Sequence, residues 1–231
     1  MPKTCVWAAN VAGWDVALPR RGGLVVEFEC SDEGVGRDLN RADALHLLLA
    51  LLLLLQQLVL SGHVAAVQTD AMLAHIADGP ADYMFWHLPH PDAFGHPNGW
   101  GSAPYDSSVT SSDASIGAVL NAIAADPGLA STTAVIVTAD HGGPLGGTSH
   151  ADHNHADNFT VPFIVWGAGV GDGDLYSLNA GVRLDPGAGR PDEAGVQPVR
   201  AAEAGNLSLQ LLGLPGIPGS RYNSAHDLNL N

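Results

Sequence analysis

The chain has 231 residues, which is the length of a single α/β domain with a substantial core. It carries 9 basic and 24 acidic side chains, so its formal net charge is −15. Because proteins bind nucleic acids and anionic membranes chiefly through Lys and Arg, this charge argues against both as partners. The two cysteines are too few for a disulfide framework.

The amino-terminal segment, residues 1–62, is of unclear structure, and its first 43 residues show no clear helical or strand period apart from a short β-like run at 23–28. It has no convincing signal peptide, because polar residues interrupt its first apolar stretch. The most apolar run, 44–60, has 17 positions, whereas a membrane-spanning helix needs about 20 apolar residues. We therefore predict a Leu-rich helix there and a soluble protein, with a separate α/β domain over 63–231.

Helical and strand patterns alternate from residue 69 onward. A short helix capped by Thr69 or Asp70 ends at Gly79-Pro80. The further predicted elements are a strand over 83–88, a Gly- and Pro-rich loop over 89–104, a helix of about four or five turns ending near residue 126, strands over 134–138 and 161–166, and a final helix carrying 207–212. This order predicts an α/β fold of three αβα layers with a mostly parallel central sheet.

Seven of the eleven histidines lie between His87 and His155, in less than a third of the chain. Together with nearby aspartates they form three groups: Asp92 with His96, Asp140 with His141, and the cluster of His150, Asp152, His153 and His155. The first two groups follow predicted strands, and the third lies in the loop before the next strand. Because functional side chains collect beyond the carboxyl ends of strands in α/β sheets, we expect the first two groups and His150 to converge.

The residue types in these groups indicate a metal centre. Aspartate oxygens and histidine nitrogens without a thiolate suit Zn²⁺ or Mn²⁺ better than Cu(I) or an iron–sulfur cluster. Five or six such ligands exceed the needs of one tetrahedral zinc, which favours a pair of ions. Taken singly, each group has a simpler interpretation: an Asp-His pair can be a surface turn, His87 a packed residue, and His153 and His155 solvent-facing loop residues.

Three ordered motifs carry a family resemblance: Asp92-x-x-Gly-His96, Thr138-Ala-Asp140-His141-Gly-Gly, and His150 eight residues before Asn158-Phe-Thr-Val-Pro-Phe. Together they resemble the carboxy-terminal half of the alkaline phosphatase superfamily, and within it the type I phosphodiesterase and nucleotide pyrophosphatase group. The resemblance covers about residues 71–230. It implies a metal-dependent hydrolase of small phosphate mono- or diesters.

The resemblance also implies a ligand assignment. Asp92, His96 and His150 would hold one ion, and Asp140 and His141 the other, with His153 and His155 as substitutes if the loop register differs. The intact family holds two divalent ions, zinc or alternatively manganese. Three protein ligands are the minimum for an open catalytic zinc site, so the first site is the better supported here.

The chain departs from the family pattern in its first 70 residues. Family members carry an early strand ending in a metal-binding Asp, followed by a Ser or Thr nucleophile at a helix start, and residues 1–70 show neither. The catalytic nucleophile therefore stays unidentified, and we expect a partial domain with weak or absent turnover. Two alternatives remain: a non-catalytic metal-binding or interaction module that uses the His-rich loop 141–155, and self-association through an exposed core that includes the Leu run 47–55.

Overall fold

The computed structural model describes residues 4–9, 63–187, 189 and 194–231. The strands in this part of the chain are β1 (Thr4–Ala9), β2 (Tyr83–His87), β3 (Thr133–Thr138) and β4 (Phe163–Gly167). The helices are α1 (His63–Ala77), α2 (His90–Asn98), α3 (Ala103–Ala125), α4 (Pro127–Ala130), α5 (Ala156–Phe159), α6 (Leu175–Leu178) and α7 (Glu203–Leu212). The predicted α/β class is confirmed.

The described strands form one sheet in the order β2-β1-β3-β4. β1 lies between β2 and β3 and pairs in parallel with both, so that Trp7 is aligned with Phe85 on one side and Ile136 on the other. The sequence did not predict β1, because a six-residue apolar run gives too short a pattern to establish a period. The strand that the sequence missed is therefore central in the described sheet.

β4 runs antiparallel to β3, with Thr138 opposite Phe163. Consecutive parallel strands need a crossover that returns the chain to the opposite edge of the sheet, whereas an antiparallel strand starts at the edge where its neighbour ends. The connection between β3 and β4 therefore begins and ends at the same edge. This explains how residues 139–162 can stay at that edge without a long helix between the two strands.

Side chains of β3 enter two separate hydrophobic clusters, because successive residues of a strand point to opposite faces of the sheet. Val135 packs in a cluster with Met72 and Ile76 of α1 and Val119 and Ile123 of α3. On the other face, Ala134 and Ile136 pack in a second cluster, which is completed by Ala204, Leu207 and Leu211 of α7 and by Leu228 and Leu230. β3, whose end carries Asp140 and His141, is therefore anchored from both faces.

Helix α2 occupies the segment that the sequence predicted as a loop. The prediction was wrong because it treated Pro89 and Pro91 as helix breakers, although proline is tolerated in the first turn of a helix, where the missing N–H has no helical partner. Pro89 is the residue preceding the helix, Pro91 lies in its first turn, and Pro97 lies inside the helix, in its last turn. The helix places Asp92 and His96 four residues apart, on one face.

No helix among the described residues is long and apolar enough to cross a membrane. The predicted Leu-rich helix at 44–60 and the β-like run at 23–28 lie outside the described residues. Self-association through the Leu run stays a prediction, and a monodisperse monomer in light scattering would contradict it.

Candidate metal centre

The carboxylate of Asp92 is the centre of the candidate site. Its Oδ1 atom is buried and has no hydrogen-bond partner. Three imidazole nitrogens surround this oxygen: the Nε2 atoms of His96, His141 and His150 lie 3.4, 3.8 and 3.9 Å from it. The four side chains come from α2, from the turn after β3 and from the loop before β4. The chain therefore brings three distant segments to one carboxylate oxygen.

These separations fit ligands arranged around a cation. In a tetrahedral zinc site with bonds of about 2.0–2.1 Å, neighbouring ligand atoms lie about 3.3 Å apart. The observed distances of 3.4 to 3.9 Å are too long for hydrogen bonds, and they need only small inward movements to reach that value. Asp92, His141 and His150 each offer a ligand atom, and these atoms all lie within 4.8 Å of one another. A buried carboxylate oxygen without a hydrogen bond is costly unless a cation neutralises it.

Backbone carbonyls orient two of the imidazoles. His96 Nδ1 lies 3.1 Å from the carbonyl oxygen of Thr148, and His141 Nδ1 lies 2.8 Å from that of Gly142. Because a carbonyl oxygen only accepts, each Nδ1 carries the proton and each Nε2 of the neutral ring is left with its lone pair toward Asp92. Metal-binding histidines commonly donate their second ring nitrogen to an acceptor in this way.

Asp140 extends the site on the side of His141. Its Oδ2 lies 3.5 Å from His141 Nε2, so that this nitrogen faces two carboxylates. The structure therefore places His141 between Asp92 and Asp140, where it can serve an ion beside either carboxylate. The same two carboxylates act on the nearby His87: burial lowers the pKa of its imidazole, and the negative charges of Asp140 and Asp92 act in the opposite direction. The assignment of Asp140 and His141 to a separate second ion stays a prediction.

The two substitute histidines lie elsewhere. His155 precedes α5, where its Nδ1 accepts a hydrogen bond from the backbone N–H of Asp157, and its ring lies 3.8 Å from the Asp157 carboxylate. His153 is exposed. Neither belongs to the described group of three residues whose ligand atoms lie within 4.8 Å of one another.

Sequence reasoning gave no role to two residues that contact the ligand-bearing segments. His90 is buried at the start of α2, with neither ring nitrogen hydrogen-bonded, and burial lowers its pKa. Asn158 is also buried, and its Nδ2 donates to the backbone carbonyls of both His150 and Asp152. The carbonyl of Asn158 in turn accepts from the N–H of Gly142, beside His141. No helical or strand period could have revealed these bonds, since they join loop residues six, eight and sixteen positions apart.

Replacing Asn158 with Ala is expected to weaken metal binding by about tenfold, because changes in groups that support the ligands typically cost 10- to 100-fold in affinity. The substitution removes the hydrogen bonds from the Asn158 amide to the backbone carbonyls of His150 and Asp152, which hold this loop in place. Isothermal titration with Zn²⁺ measures the effect. Asn154→Ala is the matched control, because Asn154 is an exposed residue of the same loop. Its hydrogen bond runs from its backbone N–H to the Asp152 carboxylate, so the substitution keeps that bond. Equal affinity in the two variants would show that Asn158 does not support the site.

Comparison with known families agrees with this geometry. No curated protein matches the chain significantly. A family model described as type I phosphodiesterase / nucleotide pyrophosphatase matches residues 8–158, well over half of the chain. The match begins far earlier than residue 71, where the motif resemblance began, and it includes all five predicted ligand positions. The chain therefore belongs to the type I phosphodiesterase / nucleotide pyrophosphatase family, within the alkaline phosphatase superfamily.

Proposed function

We propose that this chain is a metal-dependent hydrolase of small phosphate mono- or diesters. The observation that supports it most strongly is the buried Asp92 oxygen with three imidazole Nε2 atoms around it, in a chain of this family. The net charge of −15 is compatible with an anionic substrate, since bound cations invert the local field in an otherwise acidic protein.

Five side chains would hold the cations, zinc or alternatively manganese. Asp92, His96 and His150 form the first site, and Asp140 and His141 form the second. When bound, a divalent cation polarises a phosphoryl oxygen and offsets the negative charge that develops on it. The chain's own contribution is orientation: the carbonyls of Thr148 and Gly142 hold two imidazoles with Nε2 toward the carboxylate.

We also propose that the fold around the site has three αβα layers. The two hydrophobic clusters on opposite faces of β3 support a three-layer αβα arrangement, and two of the three described strand pairings are parallel. The domain would span 63–231, joined by the early strand β1.

We also propose that this chain hydrolyses phosphate esters only slowly, because the sequence shows no Ser or Thr nucleophile at a helix start within residues 1–70. The test is hydrolysis of bis-p-nitrophenyl phosphate and p-nitrophenyl phosphate by purified protein with added Zn²⁺ or Mn²⁺. We expect slow hydrolysis that stops when the metal is chelated. Fast metal-dependent turnover that is lost in Asp92→Ala and Asp140→Ala would contradict the expected weakness, and hydrolysis that chelation leaves unchanged would contradict the metal-dependent class.

A metal-binding module without catalysis is the alternative, favoured by the four histidines in the loop 141–155. Metal stoichiometry separates the two functions. The variant with both His153→Ala and His155→Ala is expected to bind as much metal as the unmodified protein, because these side chains lie apart from Asp92. The variant with both Asp92→Ala and His96→Ala is expected to lose binding. The reverse result would show that the loop is the binding site and would overturn the proposed centre.

A further inference from the structure

Trp100 lies beside two of the candidate ligands although it cannot bind a metal. The side chain is buried, with 5% of the residue exposed. Its indole ring meets the ring of His96 at a centroid distance of 5.2 Å and an angle of 74°, and that of His150 at 5.9 Å and 89°. One ring therefore packs edge-on against imidazoles that belong to two different segments.

Two glycines make room for this indole. A Cβ atom at Gly95 would lie 2.7 Å from Trp100 Cε2, and one at Gly143 would lie 2.2 Å from Cδ2 and Cε2. Contacts this short do not occur between real side chains, so any other residue at either position would displace the ring. Gly95 immediately precedes His96, and Gly143 follows His141 by two residues. The indole therefore fills the space between α2 and the turn after β3, and the backbone approaches it from both sides.

The backbone of Trp100 makes a second connection to the same loop. Its N–H donates to the carbonyl of Gly147 at 3.0 Å, and its carbonyl accepts from the N–H of Gly146 at 2.7 Å. The next residue of the loop, Thr148, supplies the carbonyl that orients His96. Ring and backbone together thus join the segments that carry all three imidazoles around Asp92.

We infer that Trp100 is a positioning residue, which sets the distances between the ligand-bearing segments and so tunes metal binding at the proposed centre. The inference rests on the proposed function for the identity of the site. The indole has a donor N–H and no free lone pair for a cation, so it acts only through the histidines that it touches. Without the ring, α2 and the 141–150 loop lose their common spacer, and the ligand atoms lose their fixed separations.

The test compares Trp100→Ala and Trp100→Phe with Trp86→Ala in the full chain. Trp86 is the matched control, because it is equally buried but lies in the cluster that β2 forms with α1 and α3. Isothermal titration with Zn²⁺ is expected to show an affinity lowered about tenfold or more in Trp100→Ala, the range found for groups that orient ligands. Trp100→Phe keeps an aromatic ring and should recover part of the affinity, and Trp86→Ala should bind as the unmodified protein does.

A second measurement needs no metal. Nitrogen-15 NMR of the imidazoles, at a pH above the ordinary imidazole pKa, reports which ring nitrogen carries the proton. We expect His96 in the Nδ1-protonated form in the unmodified protein and in Trp86→Ala, and a mixture of both forms in Trp100→Ala.

The two measurements separate the two hypotheses. If the unmodified protein binds no divalent ion, the proposed function fails, and the NMR result alone decides the role of Trp100. The inference is overturned if Trp100→Ala keeps the single His96 form, or if Trp86→Ala changes affinity and imidazole spectrum as much as Trp100→Ala does.

Discussion

Asp92→Asn is expected to lower the affinity for Zn²⁺ by at least about 100-fold, more than the loss of any group that only supports a ligand. The substitution removes the negative charge at the one oxygen that faces His96, His141 and His150. The imidazoles of the first site are neutral ligands, so without the carboxylate they do not compensate the charge of a divalent ion. Metal-dependent hydrolysis should disappear with metal binding.

Thermal unfolding gives an independent measurement of the same effect. A ligand present at about 100 times its dissociation constant stabilises the folded state by about 2.7 kcal/mol, so the unmodified protein should melt at a higher temperature with added Zn²⁺. Asp92→Asn should lose this increase. Without metal, the variant should be at least as stable as the unmodified protein, because it no longer buries a carboxylate oxygen that lacks a hydrogen bond.

Asp113→Asn is the control for this prediction, since it makes the same change at an exposed position of α3. It should keep both the affinity and the metal-induced increase in melting temperature. If Asp92→Asn binds Zn²⁺ as tightly as Asp113→Asn does, the metal centre does not lie at Asp92.

Arg183→Met is expected to destabilise the folded protein by about 3–5 kcal/mol, the usual cost of leaving a buried charge without its partner. Arg183 Nε donates to both carboxylate oxygens of Glu203, at 3.1 and 3.2 Å, and Nη2 donates to Asp227 at 3.0 Å. Glu203 is only 2% exposed and opens α7, which packs against the sheet. The ion pair thus anchors α7 beside the second hydrophobic cluster.

Two further variants show whether the buried charge causes the loss. Asp227→Asn should cost less than about 1 kcal/mol, because the Asp227 side chain is 46% exposed and solvent screens its charge. Combining Arg183→Met with Glu203→Leu should recover most of the stability, since apolar residues often replace a buried ion pair without loss. Chemical denaturation measures all three. A double variant as unstable as Arg183→Met alone would contradict the explanation.

The loss in Arg183→Met should also depend on pH. Burial raises the pKa of Glu203, and the hydrogen bonds and positive charge of Arg183 act against this rise. Without Arg183, the pKa in the folded state lies further above its unfolded value of about 4.3. Such a group favours the folded state below the unfolded pKa, and this contribution is lost as pH rises through the folded pKa. The variant should therefore be closest in stability to the unmodified protein in acid, and furthest from it at neutral pH.

Much of the fold could be predicted from local patterns. The sequence located β2, β3 and β4 to within two residues at each end, because each carries an apolar run of its own. It located the end of the long helix α3, but it predicted four or five turns where the helix has 23 residues. The same reasoning identified Asp92 and His141 as candidates, since both follow strands that end at one edge of the sheet. It missed β1, whose pattern is too short, and α2, which begins at prolines that a first turn tolerates.

By itself, the sequence determined the chemistry of the candidate site: which carboxylates and imidazoles occur, and at which strand ends. Only the tertiary structure decided that His141 lies between Asp92 and Asp140, that Asn158 holds the backbone at His150, and that Trp100 separates α2 from the loop after β3. The physical reason is the distance along the chain over which each feature depends on other residues. Apolar period and strand-end position depend on neighbours in the chain, whereas a ring packed between two glycines or a hydrogen bond between distant loops exists only once the segments have come together.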